Sequence, residues 1–431
     1  MSLNERLSKV LPKDNTYLVV HTQSTPRETH PVITPSSNAT RFKTIKAEHF
    51  ITLSHGGVIV FGIEIYTYIT LNTLLDQTEV LLFVAKADTT GFNSTKVRIG
   101  LVTKEILSYL LNIPIEHYLS EIVPKLDYKP SPDAITKFTN TKEALKILLE
   151  RNQGKKSTPP KIAKYCIKAS ERPSKIIHKV SFFTRAEQQY IFPYSGSNGR
   201  KHVLSGSQLL NWWVGIVDQV LMDDFKSNEK ETLARLTIPG EDGLITRKYF
   251  NSLKFPHWAV GDIFHIEDPT SDIAVFKIPL YPDDPKGRFL EHLVVENRVK
   301  SVTSKQFWVE LQVRQEFRLG VTVGVVGVEG QLKDHTKDSS NVDDLIVLPH
   351  REFKKCKDYI TGEEYHDEDG AIDALANSLK FLQKKGYDGM GDTVGEWVKS
   401  VQKPAVEKHN IINVVPVNDL SGMVVRKKKK P

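Results

Sequence analysis

A chain of 431 residues, 39% apolar and 9% aromatic, suits one large or two ordinary domains and can bury a substantial core, which excludes an intrinsically disordered protein. Its two cysteines, Cys166 and Cys356, argue against a disulfide framework or a structural zinc site and fit a reducing compartment. A formal net charge of +7 points to acidic partners, whether nucleic acid, acidic proteins or phosphate-bearing cofactors, without choosing among them.

The best apolar run, residues 57–63, is strand-sized, so no membrane span is expected, and the N-terminus lacks a charged-then-apolar leader pattern; the expectation is a soluble intracellular protein. Residues 17–20 read as a short strand. Residues 50–54 and 57–68 flank a His55-Gly56 turn, the signal of a hairpin. Residues 80–85 form a fully apolar central strand that should end at the polar turn 86–91. Val97, Ile99 and Leu101 alternate with Lys96, Arg98 and Gly100, as in an edge or half-buried strand. Thr103 should then cap a helix with Ile106, Leu107, Leu110 and Leu111 on one face.

Residues 125–180 hold fourteen Lys or Arg against five Asp or Glu. A short helix over 142–151 and a flexible loop over 154–160 are expected there. The segment reads either as a solvated insertion or as a mobile basic loop near an active site or acidic partner. Residues 180–185 are strand-like, 190–193 run into a turn-rich stretch, and a helix capped by Ser205 or Ser207 follows. On that helix Trp212 and Trp213 stand about 100° apart, so one faces the core while the other is half-exposed or lines a cavity.

Residues 238–268 read as loops with a short strand. Val275 and Phe276 look like the end of another strand, which Pro282 should stop. Asp284 then reads as an N-cap and Pro285 as the first helical residue, with Phe289, Leu290, Leu293, Val294 and Val295 on the apolar face. Two readings stay open for this acidic corner. In one, Asp284 is only a cap and Lys286 and Arg288 are solvated; in the other, two carboxylates and two cations sit at a pocket mouth, beside a helix N-terminus able to bind phosphate. Further on, a helix over 304–317, a glycine-containing strand over 321–328 and an acidic-then-helical stretch over 361–382 are expected, with 367–370 a helix start. The tail 426–430 is basic and suits nuclear import, an acidic surface or plain solvation.

No metalloprotease, phosphate-loop or nucleophile-elbow motif is present, the histidines lack ligand spacing, and no metal site is expected. What remains is a set of carboxylates and aromatic rings: Asp88, Asp283, Asp284, Tyr190, Trp212 and Trp213. Carboxylates and ring faces attract an ammonium group, so the set suits a lysine substrate. Acyl transfer needs that lysine deprotonated, from a reference pKa near 10.4, and a nearby carboxylate can accept or relay the proton.

Spaced motifs carry a family resemblance. They are Leu3-Asn4, Glu28-Thr29-His30, Val84-Ala85-Lys86-Ala87-Asp88-Thr89, Phe183-Thr184-Arg185, Lys201-His202, Trp212-Trp213, Ile238-Pro239-Gly240-Glu241-Asp242, Val260-Gly261-Asp262-Ile263-Phe264, the run 278–289, and Tyr359-Ile360-Thr361-Gly362-Glu363-Glu364-Tyr365. In this order they resemble the fungal histone H3 lysine acetyltransferases of the regulator-of-Ty-transposition family, distantly similar in fold to the CREB-binding-protein acetyltransferases. The resemblance implies an α/β fold: a single composite domain over 1–385, its central mixed sheet surrounded by helices, with the basic insertion at 125–180 and a C-terminal extension over 386–431.

It also implies acetyl-CoA as cofactor, held by Ala87, Asp88, Thr89, Lys96, Val97, Arg98, Ile99, Gly100, Phe183, Arg185, His202, Val203, Leu204, Trp212 and Arg288. Asp284 resembles the catalytic acid or base, with Asp283, Asp88 and Trp213 beside it. Asp88, Tyr190 and Trp213 resemble the walls of the substrate-lysine pocket, and Lys286 the lysine that acetylates itself, buried near the site. The implied partners are newly made histone H3 with H4 and histone chaperones of antisilencing and nucleosome-assembly type, in the nucleus, with no sequence-specific nucleic-acid binding. Lys96 stands where arginine is usual and Gly287 where alanine is usual. The 125–180 insertion and the tail after 385 match poorly. The competing reading is a non-enzymatic nuclear scaffold that binds acidic chaperones through its basic segments.

Overall fold

The computed structural model describes residues 1–35, 42–93, 95–125, 163–228, 231–264, 272–313, 322–333, 340–387 and 391–398. The expected features at 142–151, 154–160 and 426–430, most of the basic insertion and the end of the 304–317 helix lie outside these residues.

The chain opens with helix α1 (Leu3–Ser8), closed by a Ser2/Glu5 capping box. Strands β1 (Thr16–Ser24), β2 (Arg27–Thr29), β3 (Phe42–His55), β4 (Val58–Asn72) and β5 (Gln77–Thr89) follow. The β3–β4 hairpin turns at Gly56-Gly57, both in the left-handed region that glycine adopts without strain. Helices α2 (Ile99–Leu111) and α3 (Ile115–Leu119) lead to β6 (Lys175–Thr184) and to the long helix α4 (Gly206–Asp224). Next come β7 (Thr232–Thr237), α5 (Gly243–Arg247), β8 (Trp258–Val260), α6 (Pro285–Val295), α7 (Ser304–Leu311), β9 (Gly324–Gly330), β10 (Ile346–Leu348), α8 (His350–Thr361), α9 (Glu368–Gln383) and β11 (Asp392–Val394).

The strands form one mixed sheet in the order β10-β1-β3-β4-β5-β6-β9-β7-β8, with β11 also paired to β1 and β2 to β3. Pairs β1/β10, β5/β6 and β7/β8 are parallel. The central strands β3 and β4 are buried along most of their length, as strands covered on both faces must be, and helices α2 and α4 pack together on the main core. A separate small core of Ala274, Ile278, Phe289, Leu290, Leu293 and Phe307 holds α6 and α7 together. Met1–Trp397 is one compact unit, so β11, beyond residue 385, belongs to the sheet.

Five local expectations change. Residues 96–98 are loop and α2 starts at Ile99, because Val102, Ile106, Leu107 and Leu110 bury one helical face; the longer helical period outweighs a short alternation. The residue at the N-cap is Arg98, and Thr103 lies buried inside the helix. Strand β5 runs on through Thr89, since Lys86 to Thr89 pair with Phe61 to Glu64 of β4. Ala274–Phe276 is a 3₁₀ turn rather than a strand end, and Val294 and Val295 are exposed on α6.

Candidate active site

The acidic corner is pinned to the sheet by an aromatic stack. The Tyr281 ring lies on Phe83 of β5 at 4.0 Å and 9°, and Leu280 N–H donates to the Val32 carbonyl at 2.7 Å. Burial drives the Tyr281 phenol well above its ordinary range, so it stays protonated. Asp283 takes a left-handed conformation (φ 57°), which turns its carboxylate outward, three-quarters exposed, to pair with Lys86 Nζ at 3.1 Å. Asp284 faces the other way. It caps α6 by accepting from Lys286 N–H at 2.9 Å, and its second oxygen lies 2.7 Å from Lys286 Nζ. Both residues are buried, Asp284 at 2% exposure and Lys286 at 1%. Lys286 Nζ also lies 5.8 Å from the Phe183 ring centre and 5.9 Å from that of Tyr281.

A buried ion pair of this kind gains little net stability, because desolvation offsets the attraction, but losing one partner strands a charge. Lys286 is therefore not solvated. The phosphate reading of this helix start fails as well: Pro285 has no N–H, and Asp284 itself takes the next one.

On the opposite side, α4 begins with a Ser205/Gln208 capping box. Trp213 is buried against Phe182 of β6, ring centres 4.8 Å apart, while Trp212 meets Trp213 edge-on at 4.9 Å and stays partly exposed. Asp88 is fully engaged. One oxygen accepts from the N–H groups of Tyr190 (2.7 Å), Ile191 (3.0 Å) and Phe192 (3.4 Å); the other accepts from Thr89 N–H and from Lys201 Nζ at 2.6 Å. Lys201 also donates to Ser195 Oγ at 2.8 Å. Asp88 thus fastens the 190–192 loop to the end of β5, as a brace rather than a wall. Gly91 allows the same junction to close: it sits at φ +89°, and a Cβ there would lie 2.8 Å from the Lys201 backbone nitrogen.

Two adjoining cavities result. The narrower, about 400 Å³, is lined by Phe183, Arg185, Asp283, Asp284, Arg288, the β-bulge at Ala85 and others. The wider, about 650 Å³, is lined by Ala87, Asp88, Thr89, residues 96–100, Lys201, His202, Val203, Leu204 and Trp212. Ala87, Tyr190, Trp213, Leu209 and Glu187 line both, so they stand where the cavities meet. Asp88 and Asp284 do not share a cavity, and Lys286 lies behind Asp284, lining neither. Lys201, Glu187, Leu209 and the Phe83–Tyr281 stack are site features that motif reading missed. Glu187, paired with Arg185 at 2.9 Å, could have been noticed as a carboxylate two residues past a cationic strand end.

The wider cavity suits an anionic carrier with an apolar arm. Lys96, Arg98, Arg200, Lys201 and His202 line it, as does the N-terminus of α2, which has no side-chain cap. Trp212, Val97 and Leu204 supply apolar surface. The narrower cavity carries carboxylates and ring faces suited to an amine.

A mixed α/β sheet bearing a cationic cavity joined to a smaller one with carboxylates and ring faces suits a group-transfer enzyme. The family model for the histone acetyltransferase KAT11-type domain matches residues 3–381, and the chain belongs to that family. It is a histone acetyltransferase that uses acetyl-CoA as its acetyl donor and acts on histones in a chromatin-related role, which sets aside the scaffold reading. The histone acetyltransferase RTT109 of Candida albicans is 31% identical over 324 residues, 75% of this chain and 86% of that protein. The Aspergillus flavus rtt109 is 28% identical over 368 residues, 75% of this chain but 55% of that longer protein. In fold, the chain matches the crystal structure of Rtt109 from Aspergillus fumigatus with a TM-score of 0.65 at 22% identity, covering 92% of this chain and 99% of that one.

Proposed function

We propose that the chain acetylates lysines of newly made histone H3, presented with H4 by chaperones of antisilencing and nucleosome-assembly type, in the nucleus, with a catalytic domain that runs past residue 385 to include β11. We assign the wider cavity to acetyl-CoA and the narrower to the substrate lysine. The observation that carries this assignment is the meeting, at Trp213 and Tyr190, of a cation-lined cavity with one that brings carboxylates and aromatic rings together. When bound, acetyl-CoA supplies an acyl carbon activated as a thioester. Lys96, Arg98 and His202 bind its anionic part, the 97–100 segment and Trp212 orient it, and Phe183, Arg185 and Arg288 face the junction from the acceptor side. Trp213 and Tyr190 form the walls that guide the amine and exclude water.

Asp284 is the acid or base. The residue lines the acceptor cavity, and its buried carboxylate holds the Lys286 ammonium at 2.7 Å. Self-acetylation of Lys286 would remove that ammonium charge and leave the carboxylate free to take the proton from the incoming amine. Asp283 and Lys86 hold the rim, and Asp88 and Lys201 keep the 190–192 wall in place.

The test is mass spectrometry of the purified chain with acetyl-CoA, alone and with histones H3–H4 and a chaperone. The expected result is acetyl on Lys286 and on H3 lysines, with both lost in Asp284→Asn. Acetylated H3 with Lys286 untouched would remove the self-acetylation step; unmodified H3 would remove the substrate assignment.

A further inference from the structure

A third cavity of about 470 Å³ opens beside the acceptor cavity, between β4, β5 and helix α8. Lys86 and Tyr190 line both. We propose that this third cavity is a subsite for the polypeptide around the substrate lysine and that it takes an acidic side chain two to four residues away from that lysine. The proposal rests on the acceptor assignment made above.

Reach supports it. An extended chain advances about 3.3 Å per residue, so two to four residues span roughly 7–13 Å. A chain that places its lysine in the acceptor cavity and leaves past Lys86, Gln189 and Tyr190 passes directly into the third cavity, because those residues line both.

Charge then selects the side chain. Lys357 is committed to buried Glu64 at 2.6 Å, where the Tyr66 hydroxyl also donates at 2.9 Å, and Lys86 is committed to Asp283. Lys354 lines the cavity, is exposed, and forms no ion pair among the described residues. The exposed residues Arg351 and Lys355 extend the basic surface of α8, and Asp358, a turn further on, is the acid that opposes it in the cavity. A carboxylate entering here meets Lys354 with two further lysines nearby. A basic side chain meets three lysines and, of the two acids, one is already paired.

The experiment uses the full chain and a set of short peptides with one lysine. Each carries Glu, Ala or Lys at positions two, three or four on either side of it. Binding is read by fluorescence anisotropy and acetyl transfer by initial rates. A peptide with Glu at the matching position should bind about three- to fivefold tighter than its Ala counterpart, the gain of one exposed ion pair. Lys354→Glu should reverse that preference, Lys354→Arg should keep it, and neither should alter transfer to the Ala peptide. Equal binding of the Glu, Ala and Lys peptides at every position would overturn the subsite, even with all of them acetylated. Discrimination in binding without transfer would keep the subsite and overturn the acceptor assignment instead.

Discussion

Asp284 is asked to do three things from one buried position: cap α6, neutralise Lys286 and line the acceptor cavity. Asp284→Asn preserves its shape and most of the cap but removes the charge. Transfer to histone should fall by about 10²–10⁴, the usual size of a lost acid or base. The stranded ammonium of Lys286 should cost about 3–5 kcal/mol of stability. Replacing Lys286 by Met in the same chain should recover the stability and not the activity, since it removes the buried charge that Asp284→Asn leaves unpaired. Urea titration and initial rates read the two separately; recovery of both would make the pair structural only. The cap at Asp284 and the proline after it were legible locally, because helix starts depend on residues a few positions apart. That Lys286 is buried was implied only by the family resemblance, since locally nothing shows that Phe183 and Tyr281 close over it.

Strands β1 and β3 and helix α3 are joined by buried histidines. His21 Nε2 meets His49 Nδ1 at 3.0 Å, the Tyr118 hydroxyl meets His49 Nε2 at 3.2 Å, and His117 meets the Gln23 amide oxygen at 2.9 Å. Burial, with His117 adding to it, lowers His21 to about 3, and burial with His21 holds His49 well below the ordinary range. Both are neutral in the fold and near 6.5 when unfolded, so the unfolded chain binds more protons as pH falls below 6.5. Stability is therefore complete above about pH 6.5 and lost on acidification toward 3. His21 alone should cost about 2 kcal/mol between pH 7 and 5. Denaturation midpoints across that range should fall, and less steeply in His21→Gln; a flat profile would contradict the buried neutral pair. At this scale the β3–β4 hairpin, β5, β6, α4, α6 and α9 were readable from periodicity and caps. Residues 96–100 and 274–276 were misread because runs of three to five residues do not separate strand from loop, 3₁₀ turn or helix start.

Across the whole molecule, the site is assembled from segments far apart in sequence. The Asp88–Lys201 pair bridges 113 residues, and the Asp283–Lys86 pair joins the acidic corner to the rim of β5. Spaced motifs pointed to the family and to most cavity-lining residues. The division of those residues between two cavities, and the third cavity under α8, come only from the packing of the sheet ends against α4, α6 and α8. That division has a direct consequence: donor binding and acceptor chemistry should be separable. The decisive measurement is calorimetric titration of the intact chain with CoA, run beside acetyl-transfer rates. One molecule of CoA should bind per chain, with affinity lowered at least tenfold by His202→Glu and unchanged within about twofold by Asp284→Asn, although the latter slows transfer by about 10²–10⁴. Absence of saturable CoA binding, or equal loss of binding in both variants, would contradict the two-cavity arrangement.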